Sequence, residues 1–224
     1  MTTFQRARSA EQRELRREAI LDAAAAMLAE MPVAQVSLNE LSRRVGLAKS
    51  NVLRYFESRE AVLLELLDRA WQEWFVELRQ SLGVGPGAPA ERGDQLAAAL
   101  AASLASRPVL CDLACAQAAV LERNVSPEVA ARYKRAAIAN LNALARLVLA
   151  RLPELGGHDA FRLAAATVMV ISGLWPLAQP SPAMLAAYEA DPALAAMRVD
   201  FAATLREVLE VLISGLLARS SGPL

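Results

Sequence analysis

The sequence predicts an all-α protein of about nine helices, and three observations carry that prediction. Hydrophobic residues make up 55% of the 224-residue chain while aromatics make up only 5%, so the apolar mass is mostly Ala, Leu and Val. That is helix-forming material. Alternation of β-branched residues with period two, the mark of a half-buried strand, is almost absent. Proline and glycine then divide the chain into segments of helical length.

Taken in order, residues 1–10 read as a polar, partly disordered arm. A first long helix covers about 11–30, with Leu15, Ala19, Ile20, Ala23, Met27 and Leu28 on one stripe, and Pro32 ends it. "SLNELSRRV" is a short helix with Ser37 as N-cap and Glu40 three residues on, the capping-box pattern. Its apolar positions Leu38, Leu41 and Val45 make one face. Gly46 supplies a left-handed residue to end it. A second short helix runs from about Ala48 to Phe56, so the pair has helix-turn-helix spacing.

Ser58 caps a long helix reaching about Leu82. "GVGPGAPAERG", 83–93, reads as a flexible loop. Helices follow at about 94–106 and 109–123, separated by Pro108. Ser126-Pro127, a cap followed by proline at the first helical position, opens a helix to about Leu152. Gly156-Gly157 precedes a helix at about 159–178. Pro180, Pro182 and Pro192 mark an irregular stretch with short helical turns, and a last helix covers about 199–218. No fixed-period repeat is present.

Composition excludes several classes of function. Net charge is zero, and residues 1–60 carry ten Lys/Arg against eight Asp/Glu, so any nucleic-acid contact must rest on local placement. Two cysteines make no disulfide framework, and no charged-then-apolar leader precedes the first helix, so a cytoplasmic protein is expected. The apolar run 163–178 is shorter than the roughly 20 residues of a membrane span and contains Pro176. It reads as a buried helix, and no membrane partner is expected. Cys111 and Cys115, four apart with the single His158 far away, read as core residues and neither a metal site nor a redox switch. One histidine, no nucleophile elbow and no phosphate-binding glycine loop speak against an enzyme. No cofactor or metal is expected.

The stretch "SLNELSRRVGLAKSNVLRYFESREAVLLELL", residues 37–67, resembles the TetR family of bacterial transcriptional repressors. The match lies in the capped helix, the turn glycine, the lysine and small residues after it, the aromatic end and the next capped helix. What the resemblance implies is specific. Residues 1–57 would form a helix-turn-helix DNA-binding domain, and residues 58–224 a helical effector-binding and dimerisation domain. Ser37 would set a helix N-terminus against a phosphate. Lys49, Ser50 and Asn51 would open the recognition helix onto base edges in the major groove. Arg54, Tyr55 and Arg59 would hold phosphates, with Arg44 as an accessory contact. Val52 and Phe56 would pin the helix from within. Leu53 stands where the family commonly has tyrosine, Glu57 where it often has lysine, and Ser50 where glycine is common. Glu57 would repel DNA if it faced it.

The remaining expectations concern the second domain. Trp71, Trp74 and Phe75 cluster on the fourth helix, either as core or as the wall of a small-molecule cavity. Gln117, Tyr133 and Asn140 are candidate polar anchors there. The absence of a strongly charged cluster favours a neutral or weakly polar, lipophilic effector over a phosphorylated one. The helix at 159–178, apolar nearly all round, and the last helix, with its stripe of Leu205, Leu209 and Leu212, would pair in a two-fold homodimer. Gly173 and Trp175 would lie at that interface. Together these readings describe a regulator, a repressor by resemblance, that binds a palindromic double-stranded DNA operator and is released by a small-molecule effector. A regulator without a ligand, or a helical adaptor gripping a protein partner with the same surface, remains the alternative.

Overall fold

The computed structural model describes residues 3–82 and 87–220, with side chains from residue 11 onward. The described residues form eleven α-helices and three short 3-10 turns, with no strand among them. The expected loop falls partly on residues 83–86, which lie outside the described residues.

Three helices build the N-terminal head. Helix α1 spans Thr3–Glu30, so the expected arm is helical from its third residue on. Helix α2 spans Leu38–Arg44, and the Ser37 hydroxyl accepts from the Glu40 amide at 3.2 Å. Gly46 has φ of 65°, which any other residue would adopt only with strain. Helix α3 is regular only over Lys49–Val52. Beyond it the chain tightens into i→i−3 bonds, Arg54 amide to Asn51 carbonyl and Tyr55 amide to Val52 carbonyl, before reaching Phe56. Buried Ile20, Leu21, Ala24 and Met27 of α1, Leu41 of α2, Val52 of α3 and Phe56 belong to one hydrophobic core.

Helix α4, Arg59–Ser81, starts at Ser58, whose hydroxyl accepts from the Ala61 amide at 3.1 Å. It packs against α1 on one side and against α5, α6 and α7 on the other. An amphipathic surface helix buries one stripe. This helix instead buries side chains around much of its circumference, Leu63, Leu67, Trp74 and Leu78 completely.

Around it stand α5 (Pro89–Ala105), α6 (Pro108–Ala119), α7 (Pro127–Arg151), α8 (Gly156–Leu177) and α11 (Phe201–Ser220). Helix α5 begins five residues earlier than the sequence suggested. Pro89 takes its first position, and the Glu91 carboxylate accepts from the Ala88 amide at 3.1 Å, so "APAE" is a helix start. Gly93 on α5 faces Ile213 of α11, and an added Cβ would meet the Ile213 methyl at 2.7 Å, so glycine allows this close approach. Helix α6 ends at Ala119, and Leu121–Arg123 continues as a 3-10 turn.

The proline-marked stretch folds as α9 (Pro182–Ala190) and α10 (Pro192–Ala195), which pack chiefly on each other and bury no residue. The stretch Pro153–Leu177 is long and apolar enough for a membrane span by length and composition. In the fold it packs on α6, α7 and α11, with Leu163, Ala164, Thr167 and Ile171 buried. Cys111 and Cys115 lie on α6 against the same core. Burial pushes their thiols up, to about 12 and about 11, away from thiolate chemistry.

Candidate nucleic-acid interface and effector cleft

The head presents a polar edge. Lys49, Ser50 and Asn51 open α3 and are exposed, as are Ser37 at the start of α2 and Arg54 beyond α3. Val52 and Phe56 point inward. The segment therefore has an outer face of hydrogen-bonding groups, interrupted by exposed Leu53, and an inner face that locks its orientation.

Arginines at the edge are less uniform than the sequence suggested. Arg44 donates from both Nη atoms to Glu30, at 2.9 and 2.6 Å, and from Nε to Glu40 at 3.2 Å. These hydrogen bonds raise its affinity for its proton. Those from Arg43 and Arg44 hold the Glu40 carboxyl at about 2. A phosphate would have to compete with two carboxylates for Arg44. Arg59 is turned inward, with Nη2 donating to the Val33 carbonyl at 2.8 Å and Nε buried without a partner among the described residues. It ties α4 to the turn ahead of α2.

Arg54 and Tyr55 share a polar cleft of about 370 Å³ with Gln12, Arg13 and Arg16 of α1. Arg13 and Arg16 were not singled out from sequence. The signal was there, in the run "QRELRR", but a run alternating Glu with Arg reads equally well as a solvated helix face. Only the folding of α1 alongside the segment after α3 sets those arginines beside Arg54.

Further links connect the head to the second body. Arg17 of α1 donates to the Tyr55 carbonyl at 3.0 Å, pairs with Glu65 of α4 and lies 4.5 Å over the Phe56 ring. Glu57 does not face the polar edge. Its carboxylate accepts from the Ser126 amide at 2.6 Å and the Ser126 hydroxyl at 2.7 Å, at the N-terminus of α7. Those two bonds, the backbone one foremost, hold its carboxyl below the usual range. A carboxylate suits that helix end, where free amides and the dipole are positive.

Between α4, α7 and α8 lies a cleft of about 280 Å³. Trp71, Phe75, Gln117, Tyr133 and Asn140 all line it, together with Leu141, Val168 and others. Trp74 does not. It is fully buried behind them, its ring 5.4 Å from that of Trp71 and 5.3 Å from that of Phe75, and Nε1 donates to the Ser103 hydroxyl of α5 at 3.0 Å. One helical step of about 100° separates Phe75 from Trp74, which turns Trp74 off the cleft and toward α5. Asn140 donates to Asp68 at 2.7 Å and accepts from Gln72. Gln117 and Lys134 both donate to Glu122, at 2.9 and 2.8 Å.

The expected interface residues divide. Gly173 is exposed and Leu212 half-buried, on faces of α8 and α11 that also show Met169, Leu177 and Val211 to solvent. Leu205 and Leu209 are fully buried within the chain, on the side of α11 that packs on α5 and α8. Trp175 is buried too, donating to Asp112 at 2.6 Å with its ring 4.8 Å from Phe201. The periodic stripe of α11 is thus this protomer's own core, because α5 already covers it.

A three-helix reading head continued through an unbroken α4 into a helical body with an internal cleft defines a transcription regulator of the helix-turn-helix class. The sequence model described as bacterial regulatory proteins, tetR family, matches residues 20–66, and that described as tetracyclin repressor-like, C-terminal domain, matches residues 68–220. The chain belongs to the TetR family. The HTH-type transcriptional regulator EthR of Mycobacterium tuberculosis is 43% identical over 61 residues, a match covering 27% of each chain. Two crystal structures share the fold at low identity. A TetR regulator from Rhodococcus sp. RHA1 is 16% identical with a TM-score of 0.58, over 95% of this chain and 98% of that one. FadR from Bacillus subtilis, solved in complex with stearoyl-CoA, is 18% identical with a TM-score of 0.54, over 88% and 98%.

Proposed function

We propose that this TetR-family regulator is a homodimeric repressor acting in the cytoplasm, which binds a palindromic operator and releases it when a small lipophilic effector enters the α4–α7–α8 cleft. Residues 1–57 act as the reading head and 58–224 as the effector and dimer domain. The observation that carries the reading is the two-faced segment 49–56: Lys49, Ser50 and Asn51 reach outward while Val52 and Phe56 hold the segment on its core. Asn51 and Lys49 read base edges. Ser37 and Arg54, with Arg13 and Arg16, hold phosphates.

The dimer forms through the outward faces of α8 and α11, where Met169, Gly173 and Leu177 meet Val211 and Leu212. Two heads then address half-sites about one helical turn, roughly 34–36 Å, apart. A solved neighbour of this fold is named as a stearoyl-CoA complex, which supports a ligand-responsive reading without identifying the ligand. Helix α7 is the transmitter, since it lines the cleft with Tyr133 and Asn140 and is tied at its N-cap to Glu57 of the head. An effector that prefers the conformation with the heads misplaced weakens DNA binding by the same coupling, typically about 1–3 kcal/mol.

Selection from a random DNA pool tests the proposal. A palindromic sequence should emerge, bound with an affinity that falls as salt rises. Failure to enrich any sequence, with binding to a protein partner through the same face, would instead favour the adaptor reading.

A further inference from the structure

We propose that the cleft selects an uncharged acyl compound, an amide or ester of a medium-length aliphatic chain, whose carbonyl accepts a hydrogen bond from the Tyr133 hydroxyl. This rests on the effector reading above and names the ligand class for the same site.

The first observation is an unpartnered donor. Tyr133 lines the cleft and also borders the neighbouring cavity beside Asp68 and Arg132, and its hydroxyl makes no hydrogen bond to another described residue. Burial, with the nearby carboxylates of Glu122 and Asp68, pushes the phenol above its usual range, so it stays protonated and offers its O–H.

The neighbouring amides narrow the match. Asn140 is engaged on both sides, by Asp68 and by Gln72. Gln117 gives its NH₂ group to Glu122, which leaves its carbonyl oxygen to accept. The cleft thus offers one strong donor and one acceptor. A secondary amide satisfies both, and an ester uses the donor alone.

Charge excludes the rest. The one ionisable cation on the lining is Lys134, and it is engaged by Glu122. No carboxylate lines the cleft, because Asp68 lies behind Asn140 and Glu122 behind Gln117. A carboxylate head would find no unpaired cation, and an ammonium head no lining anion. Burying either without a partner is costly.

Size sets the chain. A volume of about 280 Å³ corresponds to about nine water molecules at ~30 Å³ each, just below the usual range of ligand pockets. The walls are Trp71, Phe75, Leu141, Leu144 and Val168. Exposed Ile138 extends that apolar wall to the rim, which suits a slender tail.

The test uses the full-length protein on its selected operator, with four probes on one ten-carbon chain: N-methyldecanamide, methyl decanoate, decanoate and decylamine. Tryptophan emission and operator release are read together. The amide and ester should bind, the amide more tightly, and decanoate and decylamine at least roughly tenfold more weakly. Tyr133→Phe should weaken amide and ester by roughly tenfold with the melting temperature little changed. Gln117→Leu should erase the preference for amide over ester, and it decides the matter should Tyr133→Phe fold poorly. Decanoate or decylamine binding as tightly as the amide overturns the proposal while leaving an effector site standing. So does an amide affinity insensitive to both substitutions. Four silent probes on a protein that binds its operator overturn the acyl class proposed here, while the effector reading falls only if a wider panel of lipophilic compounds also leaves operator binding unchanged.

Discussion

The reading head and the cleft are built in opposite ways. At residues 49–56 Lys49, Ser50, Asn51 and Arg54 face water with Leu53, while Val52 and Phe56 lock the segment from behind. In the cleft the walls are apolar, and the polar groups, Tyr133 and Asn140, are themselves buried. A surface for DNA needs many exposed, salt-sensitive contacts, because the phosphate backbone dominates affinity. A cleft for a small molecule needs few polar groups in fixed positions, where the lack of competing water makes each one decisive. The head should therefore tolerate substitution structurally and lose recognition. The cleft and its surrounding core should lose stability first.

The largest expected effect lies in that core. Leu209→Asp would place a charge at a site with no exposure, and should unfold the protomer, at a cost of several kcal/mol. Val211→Asp, two residues on at 68% exposed, should leave the protomer folded and abolish the dimer. Circular dichroism melts alongside sedimentation separate the two. If Leu209→Asp yields folded monomers, the assignment of that stripe to the protomer's own core is wrong.

Next comes Asn140→Leu, which strands the Asp68 carboxylate and the Gln72 amide that Asn140 now satisfies. The expected loss is about 1–3 kcal/mol of stability, measured by denaturant titration. Asn51→Ala is its counterpart in the head. It should leave the melting temperature in place and relax preference at one base pair by about 1–3 kcal/mol, read from the selectivity profile. A stability loss at Asn51 equal to that at Asn140 would erase the contrast between the two regions.

The smallest effect is expected at the link between them. Glu57→Gln keeps the shape and removes the charge at the α7 N-terminus, where such charges contribute about 0.3–1 kcal/mol. Operator affinity without effector should change little, and effector-induced release should weaken. Unchanged release in both Glu57→Gln and Ser126→Ala would remove α7 from the route.

Much of this protein was legible along the chain. Ser37, Ser58 and Ser126 cap the helices they were expected to cap, and Gly46 is left-handed, because caps and turns are decided within a few residues. The all-α class followed equally locally, from composition and the lack of strand alternation. The count ran low because Pro182 and Pro192, expected to interrupt helices, each take the first turn of one. Five of the six residues proposed for an effector site came together, since a cluster of large aromatics beside small-residue helices marks where packing is hardest to complete.

Tertiary structure decided the partners. Periodicity shows that Leu205 and Leu209 form a stripe, but only the docking of α5, with Gly93 admitting Ile213, shows that the stripe is already covered. An arginine's number does not say which acceptor it meets, and Arg44 and Arg59 turned to Glu30, Glu40 and the Val33 carbonyl. Glu57, misplaced for a DNA-facing residue, is placed for a helix N-terminus 69 residues away. Sequence determines which groups want water and which helices form. Which neighbour satisfies each group depends on angles and contacts between helices distant along the chain, and no local pattern carries them.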